Sequence, residues 1–146
     1  MRYLEDFREG QTFELGEETI TEREILEFAR RFDGQPFHTD PEAAEKSIYG
    51  GLIASGWHTG SFFMGLLVRG LIHDVASLGA GGIDELRWQK PVRPGDKLRA
   101  KLTVVGVRNS TKHPDRGLVS LVGEMFNQLG ERVLLLRWSA MIARRP

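Results

Sequence analysis

The spacing of apolar and polar residues changes period along the chain, and each change marks an element. From Gln11 to Ile20 the chain reads as extended, with Phe13 and Leu15 among polar neighbours. Thr21-Glu22-Arg23-Glu24 is a capping box, in which the threonine hydroxyl accepts from the Glu24 amide and the Glu24 carboxylate reaches back. Ile25, Phe28, Ala29 and Phe32 follow at helical spacing, and Gly34 and Pro36 end that helix. Asp40-Pro41 places an N-cap acid before a proline at the first helical position, which predicts a short helix over Pro41 to Lys46. Tyr49-Gly50-Gly51 predicts a turn into an apolar helix of about Leu52 to Leu71.

The second half has the period of strands. Leu98, Ala100, Leu102 and Val104 alternate with Arg99, Lys101 and Thr103. Asp84 to Trp88, Leu118 to Asn127 and Val133 to Ala143 read as strands too. Lys90 to Asp96, Asn109 to Gly117 and Leu129-Gly130-Glu131 connect them. One strand, then helices, then four strands predicts an α+β fold, an antiparallel sheet curled around the apolar helix. A single domain over residues 1–146 is expected. The sheet has two edges to manage, and pairing with a second copy is one solution.

Ile48 to Val68 carries no formal charge and by length suggests a membrane span. Tyr49, Ser55, Trp57, His58, Thr59, Ser61 and five glycines argue instead for a helix buried on all sides in a water-soluble core. Twenty basic residues balance twenty acidic ones, so no nucleic-acid or anionic membrane partner is suggested. The chain has no cysteine, which removes disulfides, thiolate zinc sites and a cysteine nucleophile. The N-terminus mixes acids with arginines and does not read as a signal peptide; the expectation is a cytoplasmic protein.

The candidate chemistry lies in Asp33-Gly-Gln-Pro-Phe-His38, a loop between two helices. A tight loop can bring this carboxylate and imidazole to one point as an acid/base pair. The same residues also read simply as a turn cap and a structural histidine. Asp40 is read as an N-cap, and His38, Asp40 and His58 show no metal-ligand spacing. Gly50 and Gly51 would open the apolar helix, where free amides can stabilise a developing oxyanion; they can also just form the turn. Ser55, His58, Thr59 and Ser61 need partners if buried, and one of them could reach the Asp33/His38 pair. Gly56, Gly60 and Gly65 are read as packing glycines, and Trp57, Trp88 and Trp138 as core or interface anchors.

Together, the Asp33–His38 loop, Tyr-Gly-Gly-Leu-Ile-Ala-Ser at 49–55 and Lys90-Pro-Val-Arg-Pro-Gly-Asp96 resemble the MaoC-like dehydratases, close to the (R)-specific enoyl-CoA hydratases. The resemblance covers nearly the whole chain and implies a single hot-dog unit. It also implies a homodimer or higher homo-oligomer with active sites near the subunit interface. The implied substrate is an acyl-CoA or acyl carrier protein thioester, the reaction the reversible hydration of a 2-enoyl thioester, and no metal or other cofactor is called for. By likeness Asp33 and His38 activate the water and Gly51, next to Gly50, binds the thioester oxygen. Thr59 supports the aspartate, with Ser55 as a second hydroxyl. The family loop usually reads Asp-x-Asn-Pro-Leu/Ile-His; here Gln35 replaces the Asn, which bears on loop shape and substrate range. A hot-dog thioesterase and a non-catalytic acyl-thioester-binding subunit are the rival readings.

Overall fold

The alternating second half and the strand at 12–19 join into one five-stranded antiparallel sheet in the computed structural model, which describes residues Met1–Pro146. The strands are β1 (Thr12–Thr19), β2 (Glu85–Trp88), β3 (Lys97–Asn109), β4 (Arg116–Phe126) and β5 (Arg132–Ala143), in the order β1-β3-β4-β5-β2. The helices are α1 (Glu22–Phe32), α2 (Pro36–Thr39), α3 (Pro41–Glu45) and α4 (Gly56–Gly70). Register shifts interrupt the pairing at Glu14/Gly16, Val104/Gly106 and Met125/Phe126. Such bulges increase local twist and help a sheet curl.

The curled sheet packs over one face of α4. Leu98, Ala100, Leu102 and Val104 of β3 are buried as their alternation predicts, and so are Leu121 of β4 and Trp138 of β5. They pack with Phe63, Leu66 and Leu67 of α4 into one core, and Phe63 meets Trp138 edge-on at 6.1 Å between ring centres. Each fully buried side chain of this size contributes roughly 1.5–3 kcal/mol through removal from water. This architecture is the hot-dog fold.

Two features of the apolar segment differ from expectation. First, α4 begins at Gly56, not near Leu52. Residues 52–55 are not helical because their backbone groups are taken by distant segments: Ile53 N–H donates to Phe37 O at 3.2 Å and Ala54 N–H to Val92 O at 2.8 Å. Second, α4 is not buried on all sides. Trp57, Ser61, Met64 and Val68 form an exposed stripe, because the sheet covers only the opposite face. No helix is long and apolar enough to cross a membrane.

The segment 90–96 acts as a strap between the sheet and residues 52–55. Gly95 takes a left-handed conformation, φ +86°, and its N–H donates to Ile20 O at 2.8 Å. Buried Asp96 accepts from the Arg93 amide at 2.9 Å and from Gln128 Nε2 at 3.0 Å. The strap thereby holds the Val92 carbonyl that keeps residues 52–55 out of the helix.

Candidate active site

The α1 capping box forms as the sequence predicts, with the Glu24 amide donating to Thr21 Oγ1 at 3.2 Å. The helix ends on Asp33, whose N–H still reaches Ala29 O at 2.8 Å. Gly34 and Gln35 turn the chain, and Pro36, with its φ preset for a helix, opens the single turn α2. The sequence pattern predicts loop here; the turn forms instead and presents buried His38 back towards Asp33.

Asp33 and His38 meet. His38 Nε2 lies 3.3 Å from Asp33 Oδ2. The other ring nitrogen, Nδ1, is 2.8 Å from the Ile53 carbonyl. A carbonyl can only accept, so Nδ1 carries the proton, and in the neutral ring the Nε2 lone pair faces the carboxylate. The buried Ser55 hydroxyl donates to Asp33 Oδ2 at 2.7 Å, and Gln35 Nε2 donates to Oδ1 at 2.8 Å. Burial alone would push the Asp33 carboxyl up. The amide and hydroxyl donors and the adjacent His38 more than reverse that, and it sits below its ordinary value.

The pair opens onto a cavity of about 480 Å³. Ile53, Ala54 and Val92 give it apolar lining, Gly56 and Thr59 line it from α4, and Trp88 lines it from β2. Of the hydroxyls weighed from sequence, Ser55 reaches the aspartate. Thr59 is buried on the cavity wall, but its Oγ1 donates to Ser55 O at 3.3 Å.

The two glycines expected at the helix start lie elsewhere. Gly50 has φ +66° and its N–H closes a turn on Ser47 O at 3.1 Å. Gly51 packs under Arg93, whose guanidinium donates to Tyr49 O at 2.6 Å. Neither borders the cavity, since residues 52–55 separate them from the helix. The open end of α4 falls at Gly56 and Trp57. Ser55 precedes them without capping them, because its hydroxyl is engaged with Asp33. Gly56 is thus the cavity residue that sequence reading placed among packing glycines. A signal was present: Ser55 is a good N-cap type directly before it.

Gly56 has another constraint. A Cβ there would overlap the indole of Trp88, whose Nε1 donates to Gly56 O at 2.9 Å. Trp88 in turn packs edge-on against Trp57 at 5.3 Å. Trp138 is the core anchor among the three tryptophans, while Trp57 and Trp88 are exposed at the β2 edge.

Asp40 caps α3, accepting from the Glu42 amide at 3.1 Å and the Ala43 amide at 3.3 Å. His58 faces away from the cavity and stacks on Phe28 of α1, with ring centres 4.7 Å apart and planes 8° apart. It is 8% exposed, and its Nδ1 has no partner. Burial pushes its pKa below the ordinary value of 6.5, partly countered by Glu24. A histidine lowered on folding stabilises the fold fully above about pH 6.5, and that stability is lost as pH falls towards the lowered value. Replacing His58 with Phe keeps the stack and removes the titration. The variant's melting temperature should therefore fall less between about pH 7 and pH 5 than that of the wild type. Parallel melting curves for the two proteins over that range would refute it.

Known proteins match this chain along nearly its full length. The family model for the MaoC like domain matches residues 6–121. A crystal structure of the MaoC-like dehydratase from Rhodospirillum rubrum is 41% identical, with a TM-score of 0.92 over 100% of this chain and 99% of that one. The (R)-specific enoyl-CoA hydratase of R. rubrum is 32% identical over 111 residues, which cover 73% of this chain and 72% of that protein. The structure of the (R)-hydratase from A. caviae involved in PHA biosynthesis is 25% identical, with a TM-score of 0.72 over 96% and 98% of the two chains. The fold, the ordered motifs and these matches agree, and the chain belongs to the MaoC-like dehydratase family.

Proposed function

We propose that this protein is a hydro-lyase that reversibly adds water across the double bond of a 2-enoyl thioester, carried on CoA or on acyl carrier protein. The observation that carries this reading is the Asp33–His38 pair, 3.3 Å apart, on one cavity with the open end of α4. Water placed against Asp33 Oδ2 and His38 Nε2 gives one proton to the pair while its oxygen bonds to C3. The π electrons move onto the thioester oxygen, as an enolate. The Gly56 amide and the positive end of the α4 dipole stabilise that charge, the role expected of Gly51 from sequence. Collapse of the enolate takes a proton from the pair at C2, so one water is added and nothing is oxidised or reduced.

Trp57 and Trp88, which line the cavity, are exposed, and Trp88 belongs to β2 at the edge of the sheet. A homodimer that covers this edge would bury both rings and narrow the cavity around the acyl group, in line with the expected interface location.

The test is to incubate the protein with crotonyl-CoA and, separately, with a saturated acyl-CoA. Loss of enoyl absorbance and release of free thiol are then followed as independent signals. Loss of the enoyl signal without thiol is the expected result. Thiol release from both substrates would replace this reading with hydrolysis. Binding without turnover across an enoyl-CoA panel would reduce the protein to a binding subunit.

A further inference from the structure

Gln35 breaks a local rule. It stands directly before α2, where Asn, Asp, Ser or Thr caps a first turn through the side chain, and its own side chain caps nothing there. The amide is committed to Asp33 Oδ1, at 2.8 Å. Ser55 holds the other oxygen, the one that faces His38 Nε2. The carboxylate is thus gripped at both oxygens, from the loop on one side and from the head of α4 on the other. With a single donor, rotation about Cβ–Cγ stays soft, since that terminal torsion has a broad well. Breaking a local preference where no local gain follows is a mark of functional sites.

We propose that Gln35 is a positioning residue, whose side-chain amide fixes the rotation of the Asp33 carboxylate so that Oδ2 stays aimed at the imidazole. The geometry stands by itself; the consequence for turnover rests on the hydratase reading. Gln35 is also among the donors that hold the Asp33 carboxyl down against its burial, so removing it lets that carboxyl rise. Asparagine carries the same amide on a side chain shorter by about 1.5 Å. It is also a preferred N-cap residue, so it is drawn to α2 and away from Oδ1.

The experiment compares wild type with Gln35→Met, which keeps the length and removes the donor, and with Gln35→Asn. Two quantities are read: the titration of the Asp33 carboxyl by carbon NMR, and kcat separately from KM on an enoyl-CoA. In both variants the Asp33 midpoint should rise. The kcat should drop about tenfold with KM little changed, the pattern when a donor that does not itself touch substrate is lost from a charged catalytic group. An unmoved Asp33 titration in Gln35→Met overturns the proposal, including the case where the variant only melts earlier. If the wild type hydrates no enoyl thioester, the function reading fails, and the NMR titration still decides the role of Gln35.

Discussion

Asp33→Asn lowers kcat on an enoyl-CoA by at least about a hundredfold in a protein that still folds, and His38→Gln does the same. Asparagine matches the carboxylate in shape and can still accept from the Ser55 hydroxyl through its amide oxygen. It has no proton affinity to offer a water, so the loss falls on the chemical step. Glutamine at 38 can keep a donor for Ile53 O but brings no lone pair equivalent to Nε2. The two side chains act on one water, so their losses should not add. The double variant is expected to be about as slow as the slower single variant, as for groups that work as a unit. The change at position 33 also touches stability in one direction only. The folded Asp33 carboxyl lies below its ordinary value of 3.8, so its stabilising contribution is present above about pH 4 and disappears as pH falls through the lowered value. At neutral pH the asparagine variant loses that increment, and in strong acid it does not. Turnover of crotonyl-CoA near the wild-type rate by either single variant removes the proposed roles.

How far the site was legible in the sequence follows from the range of the contacts involved. The α1 capping box, the proline-led α3 and the alternation in β3 are decided by neighbours within a few residues, and all are present as read. The Asp33–His38 encounter was legible as an opportunity, because five residues with a glycine and a proline can only make a tight connection. The start of α4 was not legible. Leu52 to Ser55 carry nothing that forbids a helix; they stay out of it because Phe37 and Val92, distant in sequence, take the amides of Ile53 and Ala54. That one displacement moved the open helix end from Gly51 to Gly56. It also released Ser55 from a helical position to serve Asp33. Gln35 was visible as a departure from the usual loop, but its partner was not, since its reach depends on how the chain turns at Gly34.

Gly56→Ala is expected to lower kcat/KM by about a hundredfold, although it adds only a methyl group. The new Cβ would overlap the Trp88 indole, so the ring or the first turn of α4 must move. Trp88 is exposed and can swing outward only by breaking the bond from its Nε1 to Gly56 O. A shift of the turn moves the Gly56 amide itself. Either movement displaces the donor proposed for the thioester oxygen, and a misplacement of about 1 Å can cost about 10²-fold. Loss of one oxyanion donor falls in the same range, about 10²–10³-fold. The cause can be separated from a general intolerance at position 56. Trp88→Ala alone removes a cavity wall and should cost less than Gly56→Ala. If the overlap is responsible, Gly56→Ala in the Trp88→Ala background has nothing to strike, and the methyl group should then be nearly neutral. The coupling between the two positions in this double-mutant cycle would be large and favourable. Additive losses would instead show that the methyl group acts through something other than the indole. Wild-type turnover by Gly56→Ala would leave the Gly56 amide without the role given to it.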